Sequence, residues 1–138
     1  MKLSRKADYA LRAVRCCANL PKGGYGSIRF ISESEAIPRE FLAKILNDLT
    51  AGGILISRRG VTGGYAMGRD PKEISFLQVI ELINGPLHVS LCTEAGEHGR
   101  VGGRDCPMCG FWRSQEKAVR KALAGQHFGK HKYRNAHK

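Results

Sequence analysis

The sulfur chemistry of this sequence is concentrated late in the chain. Cys92, Cys106 and Cys109 fall within residues 92–110, a stretch with five glycines and no apolar period, and Cys106-Pro107-Met108-Cys109 is a Cys-x-x-Cys pair. Soft thiolates gathered in this way favour zinc or an iron–sulfur cluster. With His98 as a fourth donor, the same residues would complete a structural Cys3His zinc site. A purely thiol-based sensor, closing a disulfide on oxidation, is a third possibility. Spacing alone does not separate the three. A loop of this length without regular structure is uncommon in a compact domain unless something organises it, and the cysteines are the candidates. Cys16 and Cys17 read differently, because Cys17 lies within the apolar stripe of a helix and Cys16 beside it, so both are expected in the core.

The elements that must position these residues follow from period and punctuation. Leu3, Ala7, Ala10, Leu11, Val14, Cys17 and Ala18 form the stripe of an amphipathic helix, with Ser4 as N-cap and Pro21-Lys22-Gly23-Gly24 as terminator. Arg5, Asp8, Arg12 and Arg15 are expected on its wet face. Ser27 can cap a short helix from Ile28 to about Ser34, and Glu35-Ala36-Ile37 is a tight turn. Pro38 then suits the start of a helix whose buried stripe is Phe41, Leu42, Ile45, Leu46 and Leu49, ended by Gly52-Gly53. Short helix, turn and longer helix outline a helix-turn-helix. Residues 54–57 and 65–67 read as a hairpin wing, with Gly60, Gly63 and Gly64 permitting positive φ and Arg58 and Arg59 at its base. Ser75 and Gln78 have capping-box spacing ahead of Phe76, Val79, Ile80 and Ile83. A helical period resumes at Phe111 and ends at Gly125, leaving a basic tail with His127, His131 and His137.

Composition bounds the function classes. The chain has 138 residues and a net charge of +11 from 23 basic and 12 acidic side chains, which fits one domain with an appendage. Charge is uneven: residues 1–60 carry +6, residues 61–110 carry −2 and residues 111–138 carry +7. Two basic ends point to a polyanion partner, and the acidic middle, with three of the five cysteines, to a separate task. No apolar run reaches the ~18 residues of a membrane span and the N-terminus lacks the apolar region of a secretory signal, so a cytoplasmic protein without membrane contact is expected. Enzymatic constellations are missing: there is no glycine-rich phosphate loop, no Ser/His/Asp arrangement and no carboxylate pair on one helical face. A Cys-x-x-Cys oxidoreductase would need a βαβ context ahead of Cys106.

The order of elements, with Met1-Lys2-Leu3-Ser4, Asp8-Tyr9-Ala10-Leu11-Arg12-Ala13, Ile37-Pro38-Arg39-Glu40-Phe41-Leu42-Ala43-Lys44-Ile45-Leu46, Leu49, Gly53 and Ser57-Arg58-Arg59-Gly60-Val61-Thr62-Gly63-Gly64-Tyr65, resembles the Rrf-two family of bacterial winged-helix repressors. That family includes regulators of iron–sulfur cluster assembly and nitric-oxide sensors, and the resemblance spans roughly residues 1–124. It implies that the third helix enters the major groove, that the wing reaches toward the minor groove and that the long C-terminal helices pair two subunits. Carried to this sequence, the DNA-binding residues are Arg39, Glu40 and Lys44 on the recognition helix and Arg58 and Arg59 on the wing. Arginine suits both tasks, by bidentate contact with guanine or by occupying a narrow minor groove. The resemblance also matches Cys92 to the first cluster cysteine of the family. Cys106 matches the last, through its spacing to Trp112, and Cys109 falls where the cluster-assembly regulator has a ligating histidine. The middle cysteine of the pattern has no counterpart, and the loop from Cys92 to Cys106 is longer than usual. Asp8 matches a ligand that the nitric-oxide sensor takes from the partner subunit, which leaves the fourth ligand open between Asp8 and His98.

The expected fold is mainly α with a small β-hairpin wing, a winged helix-turn-helix followed by a long C-terminal dimerisation helix. Residues 1–85 form the DNA-binding domain, 86–110 the cysteine-containing metal or cluster loop, 111–125 the dimerisation helix and 126–138 a basic flexible tail. The expected function is a homodimeric transcriptional regulator, a repressor on a double-stranded DNA operator. It would sense redox, iron or nitric oxide state through a [2Fe-2S] or [4Fe-4S] cluster. The alternatives are a winged-helix regulator with a structural zinc or a thiol switch, and a non-specific basic nucleic-acid-binding structural protein.

Overall fold

The computed structural model describes residues 2–94, 100–101 and 104–129. The first helix, α1 (Arg5–Ala18), starts where the Ser4 hydroxyl accepts the Ala7 N–H at 3.1 Å, satisfying one of the unpaired donors of the first turn. Its buried face is Ala7, Ala10, Ala13, Val14, Cys16 and Cys17. These small side chains let α3 (Arg39–Ala51) and α4 (Phe76–Asn84) both pack against it. Leu3 precedes the helix and stays exposed instead of joining that stripe. Arg15 also departs from expectation: it does not sit on a wet face but pairs with the buried carboxylate of Glu35 at the end of α2 (Ile28–Glu35).

Between α2 and α3, Ala36 takes the left-handed conformation at φ 53° and the Ser32 hydroxyl donates to the Ile37 carbonyl at 2.6 Å, closing the turn. Leu42, Ile45, Leu46 and Leu49 of α3 are buried, whereas Phe41 is 58% exposed. The four buried residues already fill an i, i+3, i+4, i+7 face, and Phe41 falls on its flank. The wing pairs β1 (Leu55–Arg58) with β2 (Gly64–Met67) in antiparallel register, Leu55 opposite Met67 and Arg58 opposite Gly64. Gly60 and Gly64 have positive φ, but Gly63 does not and is required for space, since a Cβ there would lie 2.2 Å from the Arg58 carbonyl oxygen. After one 3-10 turn (Pro71–Glu73), α4 carries the full capping box: Gln78 N–H donates to Ser75 Oγ at 3.1 Å and Ser75 N–H to Gln78 Oε1 at 2.8 Å.

The C-terminal part differs most from expectation. Residues 92–110 are not wholly irregular: a one-turn helix α5 (Leu91–Glu94) and a two-residue hairpin, β3 (Arg100–Val101) with β4 (Arg104–Asp105), occupy the stretch. The long helix α6 (Cys109–Ala124) begins two residues before Phe111, bringing Cys109 into its first turn. Residues 126–129, expected to be part of a flexible tail, dock back onto the start of α4 and the 3-10 turn before it. Phe128 is 1% exposed, with its ring centroid 4.7 Å from that of Phe76. Phe76 N–H donates to the Gln126 carbonyl at 2.8 Å and Phe128 N–H to the Pro71 carbonyl at 3.3 Å. Residues 130–138 of the expected tail, with His131 and His137, lie outside the described residues. Among the described residues no helix is long and apolar enough to cross a membrane.

Candidate metal centre and nucleic-acid interface

Two pieces of backbone bring the late cysteines together. Cys92 is the second residue of α5, Cys106 stands in the turn ahead of α6, and Cys109 is the first residue of α6. Their sulfurs all lie within 4.8 Å of one another, with Cys92 and Cys109 buried and Cys106 half-buried. The single turn of α5 is fixed locally: Thr93 N–H donates to Ser90 Oγ, and Ser90 N–H donates to Thr93 Oγ1. The connection from α4 is fixed by carboxylates. Glu81 accepts Leu87 N–H at 2.8 Å and both terminal nitrogens of Arg120 at 2.9 and 3.2 Å, and Glu116 accepts Val89 N–H at 3.2 Å while facing His88 Nδ1. The Arg120 hydrogen bonds hold the Glu81 carboxyl below its ordinary range. α6 is thus bound to α4 and to the segment carrying Cys92.

The thiols polarise one another. The Met108 backbone N–H, and then the Cys92 thiol, stabilise negative charge on Cys106 and draw its thiol below the ordinary value, as a helix start does for a thiolate. Cys109, hydrogen-bonded to Cys92 and desolvated, is pushed up to about 12. A metal entering this group would displace its protons. Three convergent soft donors, one already favouring thiolate, fit either an iron–sulfur cluster or a thiophilic ion such as zinc. None of the five cysteines is in a disulfide. Among the described residues, the three cysteines are the one such group of metal-donor side chains. Of the two candidates for a fourth ligand, Asp8 lies on α1, outside this group, where it accepts a hydrogen bond from Arg12 Nε at 3.0 Å. His98 lies outside the described residues.

A second surface faces away from the helix core. Arg39, Glu40 and Lys44 are exposed on the first turns of α3. Glu40 and Lys44, together with Arg5, Lys6, Tyr9, Phe41 and Ile45, border a groove of about 420 Å³. The α1 contribution was not singled out from sequence, although Arg5 and Lys6 precede the first buried position and belong to the basic N-terminal block. The two wing arginines diverge. Arg58 donates to the Thr62 carbonyl at 2.9 Å and lies 4.0 Å over the Tyr25 ring. Arg59 is exposed and makes no hydrogen bond or ion pair among the described residues.

Comparison with known proteins agrees with this architecture. The Rrf2 family profile, described as an iron-dependent transcriptional regulator, matches residues 3–130. A Mycobacterium tuberculosis (strain H37Rv) protein bearing an HTH-type transcriptional regulator name is 37% identical over 123 residues, covering 89% of this chain and 76% of that protein. The HTH-type transcriptional regulator IscR of Aliivibrio salmonicida is 30% identical over 129 residues, covering 94% of this chain and 76% of its own. Among solved structures, CymR, described as the global cysteine regulator of B. subtilis, superposes with a TM-score of 0.79 at 23% identity over 93% of each chain. IscR of T. potens superposes with a TM-score of 0.72 at 22% identity, over 93% of this chain and 83% of the other. These two share the fold.

Proposed function

The chain belongs to the Rrf2 family of transcriptional regulators, and from that premise we propose that it is a homodimeric repressor whose grip on operator DNA depends on an iron–sulfur cluster held by Cys92, Cys106 and Cys109. The convergence of the three sulfurs to within 4.8 Å carries this reading, together with the family match of Cys92 and Cys106 set out above. When bound, a cluster supplies a group that responds to redox state, iron supply and nitric oxide. The chain's own residues supply the rest. α5, the turn ahead of α6 and the start of α6 present the three sulfurs; Arg120 and Glu81 fasten α6 to α4, which packs on both α1 and α3, and Glu116 fastens α6 to the segment that leads to Cys92. A change in how α6 lies against α4 therefore reaches the recognition helix through a continuous packed route. Such a route alters DNA affinity only so far as one arrangement is preferred over another.

Dimerisation has its own support. Leu91, Met108 and Phe111 are large apolar side chains exposed around the thiols, Phe111 at 59%, where a second copy can cover them. A two-fold pair of recognition helices reads half-sites about one helical turn apart. On this reading Arg39, Glu40 and Lys44 face base edges, Arg59 enters the neighbouring groove, and the fourth ligand comes from His98 or the partner's Asp8. DNA as the partner places the protein in the cytoplasm. A zinc reading stands second on a specific observation: three sulfurs within 4.8 Å of one another are close enough to share one ion with Zn–S of about 2.3 Å. The test uses a duplex selected from a random-sequence library by the anaerobically prepared chain. Its affinity, relative to random duplex, is measured before and after treatment with nitric oxide. A large change in specific affinity supports the sensor, and an unchanged one overturns it.

A further inference from the structure

The wing carries two neighbouring arginines whose surroundings differ, and the difference assigns them separate tasks. β2 is tied on its outer edge to the segment just before α2: Gly26 N–H donates to the Tyr65 carbonyl and Tyr65 N–H to the Gly26 carbonyl, each at 2.8 Å. The approach is so close that a Cβ at Gly64 would lie 2.2 Å from the Gly26 oxygen. Tyr25 is therefore held beside the wing, and its ring receives the Arg58 guanidinium at 4.0 Å. The same guanidinium donates to the Thr62 carbonyl at 2.9 Å, across the turn that holds Arg59, Gly60 and Val61. Arg58 thus spans three things: the end of β1, the far side of the wing turn, and a loop that continues directly into Ser27, the N-cap of α2. Val61, at the tip, is fully exposed, and Arg59, two residues before it, is exposed as well.

We propose that Arg58 is a positioning residue: braced on Tyr25 and Thr62, it sets the wing's shape and its angle to the helix-turn-helix, so that Arg59 and Val61 are presented to the DNA groove. This rests on the reading of the wing as a DNA contact. The guanidinium is retained in a role that its planar face and multiple donors suit and that a point charge would fill less well.

The test measures affinity of the full chain, prepared anaerobically, for the duplex it selects from a random-sequence library, at several salt concentrations. Arg58→Ala, Tyr25→Leu and the double variant should each lose about 2- to 5-fold in affinity, the double no more than Arg58→Ala alone, since that substitution already removes the stacked pair. The dependence of affinity on salt should keep its wild-type slope in all three. Tyr25→Phe, which keeps the ring face, should bind like the wild type. Loss of about 0.9 from the slope in Arg58→Ala, with Tyr25→Leu unaffected, would make Arg58 a phosphate contact and overturn the proposal. Additive losses in the double variant would overturn it equally. Arg59→Ala is the separate control: if it binds like the wild type, the wing does not touch this DNA, and the underlying reading fails with the proposal.

Discussion

Cys17 and Cys106 are the same side chain in two regions of one small molecule. Cys17 is 4% exposed on the face of α1 turned toward the wing, and burial, reinforced by the neighbouring Cys16, pushes its thiol up to about 12. Cys106 stands at the start of α6, where the Met108 N–H and the Cys92 thiol draw it below the ordinary value. One thiol packs as a small apolar group and the other is prepared to coordinate. The contrast extends to their surroundings: the N-terminal region is a continuous core of α1 to α4 and the wing, whereas the cysteine segment is held by charged and polar fastenings and by one aromatic anchor. Residue type thus tells little about a thiol's chemistry until burial and nearby N–H groups are known.

The largest effect should come from breaking this contrast directly. Cys92→Ala, Cys106→Ala and Cys109→Ala are each expected to abolish the metal-derived visible absorption of anaerobically purified protein while leaving the far-ultraviolet circular dichroism of the helices intact. Cys16→Ala and Cys17→Ala should keep the absorption and instead lower stability by about 1 to 2 kcal/mol in urea, as lost packing. The next effect concerns whether the two regions are independent. Phe128→Ala should cost about 3 to 5 kcal/mol of stability by the same titration, because the ring fills a core site beside Phe76; a cost below about 1 kcal/mol would mean that the C-terminal return contributes little.

Two smaller effects sharpen the assignment. Arg59→Ala should weaken binding to a selected duplex by roughly 1 to 3 kcal/mol with relaxed preference over random duplex if the side chain reads base edges or groove shape. A loss equal on all sequences, measured by competition, would leave it a phosphate contact. For the thiols, the sign of the pH dependence follows from linkage. Cys17 keeps its proton in the folded chain up to about pH 12, whereas in the unfolded chain it ionises near pH 9. The folded state therefore binds more protons between those values, and its stability should fall as pH rises through that window, most visibly in denaturant titrations. In metal-free protein at pH 8, iodoacetamide should label Cys106 well before Cys17, read by mass spectrometry of peptides; equal rates would remove the distinction.

Legibility from sequence divides along the same line. Ser4 at the start of α1, the Ser75–Gln78 capping box and the glycine-punctuated wing are local signals, and each stands where periodicity and capping chemistry place it. The three candidate thiols were recognisable by type and spacing. Their convergence was not, since it depends on α5 folding as a single turn and on α6 starting at Cys109. Phe128 was invisible for a related reason: its basic, histidine-containing neighbours hide one apolar residue whose partner, Phe76, is distant in sequence. Arg58 and Arg59 looked equivalent as a basic pair, and only the packing of Tyr25 beside β2 separates them. Phe41 and Arg15 show the limit of helical period alone, because neighbouring helices decide which flank is covered.

The central claim is that Cys92, Cys106 and Cys109 hold an iron–sulfur cluster on which DNA binding depends. The most direct measurement is the iron, acid-labile sulfide and zinc content of anaerobically purified protein, taken together with its visible spectrum. The account predicts a coloured protein with iron and sulfide in matching amounts and little zinc. A colourless protein with one zinc per chain, whose removal by chelation unsettles the α5–α6 junction, would contradict it and leave the cysteines a structural role.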